Sequence, residues 1–287
     1  MAKRKLGMSI IVLIVAATTM VSGTYAWFLV GGFAELFDLG FDVIEAGGGI
    51  EIQGSAGYAY MSEDGADQVS WGSYLTRDCF NPDEILAADG SYAPVSSANG
   101  TSFTKVGLEG GYFASMTPAV GQDYNELKIK IRSTTTEPVN ATMNIALTGL
   151  DGDNAAVEAA RVSVTYNGTT TIYAMNADGT QAVTSDNIPA ATVKDSNNNS
   201  IIDSAEAAGN VSLSAQSITA LTQSQADANK YEASVPLNNV PGNTSSAEVI
   251  VRIWIEGNDP DCTGEKLSAK HLSAKITFGS TSEDNAA

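Results

Sequence analysis

Histidine is almost missing from this 287-residue chain, His271 being the only one. That excludes zinc sites built on two or more histidines, including the His-Glu-x-x-His helix. No Gly-x-Ser-x-Gly elbow occurs either. With only two cysteines, Cys79 and Cys262, a disulfide-dense miniature fold is excluded. Basic residues are scarce as well: 15 Lys+Arg stand against 33 Asp+Glu, a formal charge of −18. A surface of that sign repels nucleic acid and anionic lipid, and it favours solubility and cation binding. Charged residues make up only 17% of the chain while Ser, Thr, Asn, Gly and Ala abound. This composition suits an extracellular β-sandwich with long polar loops better than a helical enzyme.

The one long apolar run is at the start. Lys3, Arg4 and Lys5 form a positive n-region, and Leu6 to Val21 form a 16-residue apolar h-region. Thr24 and Ala26 put small residues at the −3 and −1 positions of a cut between Ala26 and Trp27. The reading is a signal peptide over 1–26 and an exported, extracellular or cell-surface protein. The alternative is a retained anchor, in which case the uncleaved signal would be the only membrane contact. Gly23, Gly31 and Gly32 interrupt the run, which falls short of the ~20 residues a spanning helix needs. Cleavage would leave 12 basic against 33 acidic residues, a charge of −21, because 1–26 holds three basic residues and no acidic one.

Behind the cut, 27–45 is an unusually apolar segment. Phe33, Leu36, Phe37 and Phe41 would share one face of a short helix, whereas Phe37, Leu39 and Phe41 would line one face of a strand. With Val43, these residues are candidates for assembly, as a strand donated to a neighbour or as an element packed in its own subunit. Gly47-Gly48-Gly49 then breaks the chain before a strand at 50–53.

Strict period-2 alternation marks further strands. At 126–132, Leu127, Ile129 and Ile131 face one way and charges the other. At 247–255, Val249, Val251, Ile253 and Ile255 share a face, with Ile250 and Trp254 opposite. Strands are also expected at 142–147, 162–166, 170–174, 211–218, 231–237 and 272–278, with a hairpin at Asn167-Gly168 and a helical turn at 153–160 capped by Asp153. The expectation is an all-β fold, an antiparallel β-sandwich of jelly-roll type over 46–280. It carries insertions at about 54–123 and 176–210, the first loop-rich, and ends in a disordered tail at 281–287. Trp71 and Trp254 read as core.

Lys3-Arg-Lys-Leu6, the apolar run and Gly23-Thr-Tyr-Ala-Trp-Phe28 together resemble the SipW-dependent signal of Gram-positive surface proteins, the TasA-like and camelysin-like matrix or fibre proteins among them. Gly49-Ile-Glu-Ile52, Trp71-Gly-Ser-Tyr-Leu-Thr76 and Ile253-Trp-Ile-Glu-Gly-Asn-Asp-Pro-Asp-Cys262 are similar to segments of clostridial surface proteins carrying that signal, and 126–147 and 247–278 resemble the strand layout of TasA-like sandwiches. The resemblance implies a secreted β-sandwich in a biofilm matrix or fibre. The camelysin part of the family carries a protease label, for which this chain offers no zinc ligand set.

Two site expectations remain. Asp195, Asn197, Asn199, Ile201 (through its carbonyl), Asp203 and Glu206 have the spacing of an EF-hand or dockerin calcium loop. Ser200 stands where such loops want glycine, and the neutral asparagines suggest weak, structural Ca2+ binding with Kd ~10⁻⁴–10⁻³ M. The alternative is a metal-free Asn/Ser loop. Asp259-Pro-Asp261 and Asp151-Gly-Asp153 are weaker acidic turns. Cys79 and Cys262 would pair in an oxidising compartment, closing a loop worth ~2–5 kcal/mol; the alternative is two buried thiols.

Together these features point to a non-enzymatic structural surface protein, a fibre- or pilus-like subunit whose partner is itself and which meets signal peptidase during export. The alternative is a calcium-stabilised carbohydrate- or cell-wall-binding module using the aromatics of 54–123. A surface hydrolase ranks last.

Overall fold

The alternating segments become strands in a computed structural model that describes residues 36–37, 39–40, 44–85, 91–92, 94–109, 112–119, 123–150, 152, 154–175, 181–184, 212–257, 259, 262, 267 and 270–280. The chain opens with β1 (Leu36–Phe37), β2 (Leu39–Gly40), β3 (Ile44–Ala46) and β4 (Ile50–Gln53). Three short strands follow, β5 (Ala59–Tyr60), β6 (Gln68–Val69) and β7 (Tyr74–Leu75), with a 3-10 turn at Arg77–Cys79. Next come β8 (Ser91–Tyr92), β9 (Val95–Ser96), β10 (Thr104–Glu109) and β11 (Tyr112–Pro118). The long strands β12 (Asn125–Ser133) and β13 (Val139–Gly149) lead to a one-turn helix α1 (Ala155–Ala159). Then follow β14 (Ala160–Tyr166), β15 (Thr169–Ala174), β16 (Gln181–Thr184), β17 (Ser212–Ala215), β18 (Ile218–Ala220) and β19 (Thr222–Gln223). The chain closes with β20 (Lys230–Val240), β21 (Ala247–Ile255) and β22 (Leu272–Ser280).

The all-β sandwich is thereby established. One sheet has the order β18-β15-β14-β21-β12-β4; the other runs β19-β20-β13-β22-β3-β7-β5-β6, with β2 also on β22. Alternation explains the stacking. Leu127, Ile129 and Ile131 of β12, Val249, Val251 and Ile253 of β21 and Val162 of β14 are fully buried in one cluster with Met143, Ile145 and Leu147 of β13 and Ile276 of β22. Each such side chain contributes ~1.5–3 kcal/mol on burial. Most pairs are antiparallel; β2 and β3 run parallel to β22, and β18 runs parallel to β15.

The other face of β21 is also partly apolar, as its sequence suggests, and it supports a second, smaller core. Trp254, Val95, Phe103 and Ile172 are buried together there. Phe103 stacks on Tyr124 with ring centroids 4.0 Å apart and meets Trp254 edge-on at 5.0 Å. This cluster organises the segment expected to be loop-rich. Within 54–123 the structure has a three-stranded sheet, β11-β10-β9, and the short strands β5 to β7, which extend the second large sheet. The available signal was Gly110-Gly111 between two runs rich in β-formers. Helix α1 is shorter than expected, and Asn154 rather than Asp153 is its N-cap, with no side-chain cap bond.

Candidate functional site

The N-terminal segment meets the rest of the fold along β22. Leu39 and Gly40 stand opposite Leu272 and Ser273; Ile44, Glu45 and Ala46 stand opposite Ile276, Thr277 and Phe278. On its other side β3 pairs antiparallel with β7 through Ile44↔Leu75 and Glu45↔Tyr74. A three-residue strand thus sits between two neighbours in the middle of a sheet. Ile44 is fully buried, and Glu45 Oε1 accepts from Lys275 Nζ at 3.2 Å on the exposed face. β1 pairs separately with β8.

Immediately after β3, the Gly47 N–H donates to the Phe278 carbonyl at 3.0 Å. Gly48 (φ +60°) and Gly49 (φ +82°) adopt the left-handed conformation that glycine takes without steric cost. They turn the chain from β3 into β4 and across to the opposite sheet. Of the assembly candidates, Leu36, Phe37 and Leu39 lie on strands rather than on a helix. Phe33, Phe41 and Val43 fall outside the described residues, as does the signal with its Ala26–Trp27 cut.

The calcium candidates Asp195, Asn197, Asn199, Ile201, Asp203 and Glu206 also fall outside the described residues. Among those that are described, no group of three His, Cys, Asp or Glu side chains could hold a metal, and no helix is long and apolar enough to cross a membrane. The pairing expected of Cys79 and Cys262 is corrected: both are buried free thiols. Each packs into the main apolar core, and burial pushes both thiols up from their ordinary value.

Acidic turn residues also find other uses. Asp259 is buried and ion-pairs with Arg161, itself 1% exposed, whose Nη1 donates to the Glu158 and Ala160 carbonyls at 3.0 Å. Its neighbour Glu256 is fully buried at the end of β21. Its carboxylate accepts from the Ser96 hydroxyl, the Ser97 N–H (3.3 Å), Gln216 Nε2 (2.8 Å) and Trp254 Nε1 (3.1 Å). These bonds fasten the strand at Val95 and the chain before β18 to the outer face of the first sheet. From the sequence, Asp259 stands out only as part of a weak acidic turn and Glu256 not at all, because nothing there announces their distant partners Arg161, Ser96 and Gln216.

The aromatics of 54–123 are largely engaged. The Tyr58 and Tyr60 hydroxyls both donate to Asp78, the former to its carbonyl and carboxylate and the latter to its carboxylate, which also accepts from Thr76. Burial alone would raise the Asp78 carboxyl, yet these bonds outweigh it and hold the group below its usual value. The bond to Asp78, followed by desolvation, pushes Tyr60 up to about 12. Trp71 is partly covered by the Arg132 guanidinium, 4.1 Å from its ring centre, rather than lying in the core with Trp254. The chain matches no known family model, no curated protein and no solved structure.

Proposed function

We propose that this protein is an exported structural subunit that assembles with copies of itself into a surface fibre or matrix through β-strand contacts. The observation that carries this reading is the lodging of β2 and β3 against β22. The segment lies near the start of the chain, makes short pairings, and is joined to the sandwich by three glycines. The same segment from a second copy would make identical contacts, so exchange costs little beyond chain entropy. The signal-like opening supports export.

Deleting 27–45 is a poor test, because it removes buried Ile44 from the core. Cysteines placed at facing positions are cleaner: Glu45→Cys with Thr277→Cys, directly opposite in the parallel pairing. Oxidation of the assembled, full-length variant is expected to give a ladder of covalent multimers on a non-reducing gel, with filaments in negative stain. A product consisting only of internally linked monomers would overturn the reading.

A further inference from the structure

At the β15–β20 edge the two sheets do not close. A cleft of about 320 Å³ lies there, lined by Val164, Tyr166, Asn167, Thr169, Thr171, Tyr173, Val235, Pro236 and Asn238. Its position follows from the pairing. Among the described residues, strands cover β15 only at Ile172–Ala174, through β18, and β20 only at Tyr231–Glu232, through β19. The Tyr166 hydroxyl bridges the sheets by donating to the Asn238 carbonyl at 3.1 Å.

The lining passes from buried apolar residues (Val164, Tyr173, Val235) to exposed uncharged polar ones (Asn167, Thr169, Asn238) at the mouth of the cleft. Cross-strand neighbours share a face, and Val162, Val164 and Tyr166 pair with Tyr173, Thr171 and Thr169. Val162, Val164 and Tyr173 belong to the core. Thr169 and Thr171 therefore lie on the core-facing side of β15 at its open end, Thr169 exposed and Thr171 half-buried. Their hydroxyls are set beside two tyrosines, two asparagines and two valines. Among the described residues no charged side chain lines the cleft, in a chain of charge −18.

We propose that this cleft binds a neutral saccharide, the end of an uncharged glycan. Uncharged hydroxyls and amides match sugar hydroxyls, and tyrosine and valine match the apolar faces of a pyranose ring. A volume at the small end of ligand pockets (~300–1,000 Å³) admits the end of a chain. An inserted apolar strand fits less well. It would set apolar side chains on Thr169 and Thr171, and Pro236 denies an incoming strand one N–H donor along β20. This site is separate from the aromatic face at 54–123 and does not depend on fibre assembly.

Saturation-transfer NMR of the full chain with neutral trisaccharides of glucose, galactose, mannose and N-acetylglucosamine tests the proposal, with trigalacturonate as the anionic control. At least one neutral trisaccharide is expected to respond, and trigalacturonate is not. Thr171→Val and, at an exposed position, Asn238→Ala are each expected to weaken binding at least tenfold without shifting the thermal midpoint by more than a few degrees. If Thr171→Val fails to fold, Asn238→Ala decides. Silence from every neutral trisaccharide, or a response that both variants retain, overturns the proposal.

Discussion

Asp78 shows how a single exposed carboxylate can order its surroundings. It gathers the hydroxyls of Thr76, Tyr58 and Tyr60, and the phenol rings of Tyr58 and Tyr60 meet edge-on at 5.9 Å. The signs of the two shifts are opposite. Asp78 is depressed, so its contribution to stability is present above the ordinary carboxylate value of 3.8 and lost as pH falls through the lower folded value. Tyr60 is raised, so its contribution is present below 10.0 and lost as pH rises through about 12. An alkaline titration of tyrosinate absorbance should therefore differ between wild type and Tyr60→Phe by one phenol with a midpoint about 12. A difference centred near 10 would show that the bond to Asp78 does not form. None of this was legible from the sequence, because Tyr58, Tyr60 and Asp78 are joined only when β5 and the turn after β7 come together. The buried Arg161–Asp259 pair was hidden for the same reason: 98 residues separate its partners.

For whole elements, legibility tracked alternation. The strand expected at 247–255 matches β21 residue for residue, because a central strand with one face in each core has side chains that declare both faces. The hairpin at Asn167-Gly168 was equally clear, Asn167 adopting φ +48° in its turn. The short strands β5 to β7 carry too few residues to show a period, and only their neighbours make them strands. Close approaches of backbone were likewise invisible. A Cβ on Gly242 would lie 2.0 Å from the Thr136 carbonyl oxygen, whereas one on Gly47 would meet nothing within 4 Å. Gly242→Ala is expected to destabilise the protein by ~1–3 kcal/mol, and Gly47→Ala to stay within ~0.5 kcal/mol of wild type, in urea unfolding. Equal effects would mean that the turn at Gly242 relaxes away from Thr136.

At the scale of the molecule, the two thiols test whether covalent closure contributes to the fold. A disulfide needs Cα atoms roughly 4.4–6.8 Å apart with suitably directed Cβ vectors, and a sequence separation says nothing of either. In the structure Cys79 sits in the turn after β7 and Cys262 follows Asp259, each enclosed by apolar side chains. Stability then rests on the apolar core between the sheets, which is large enough for a chain of this size without a staple. Two consequences are measurable on one sample. An aromatic disulfide reagent should find no reactive thiol in the native protein, because burial keeps both groups protonated and enclosed, and two after denaturation without reductant. The thermal midpoint should be the same with and without reductant, since there is no loop closure to lose. Zero thiols in denaturant, together with a midpoint that falls on reduction, would show that the protein closes a bond between Cys79 and Cys262 after all.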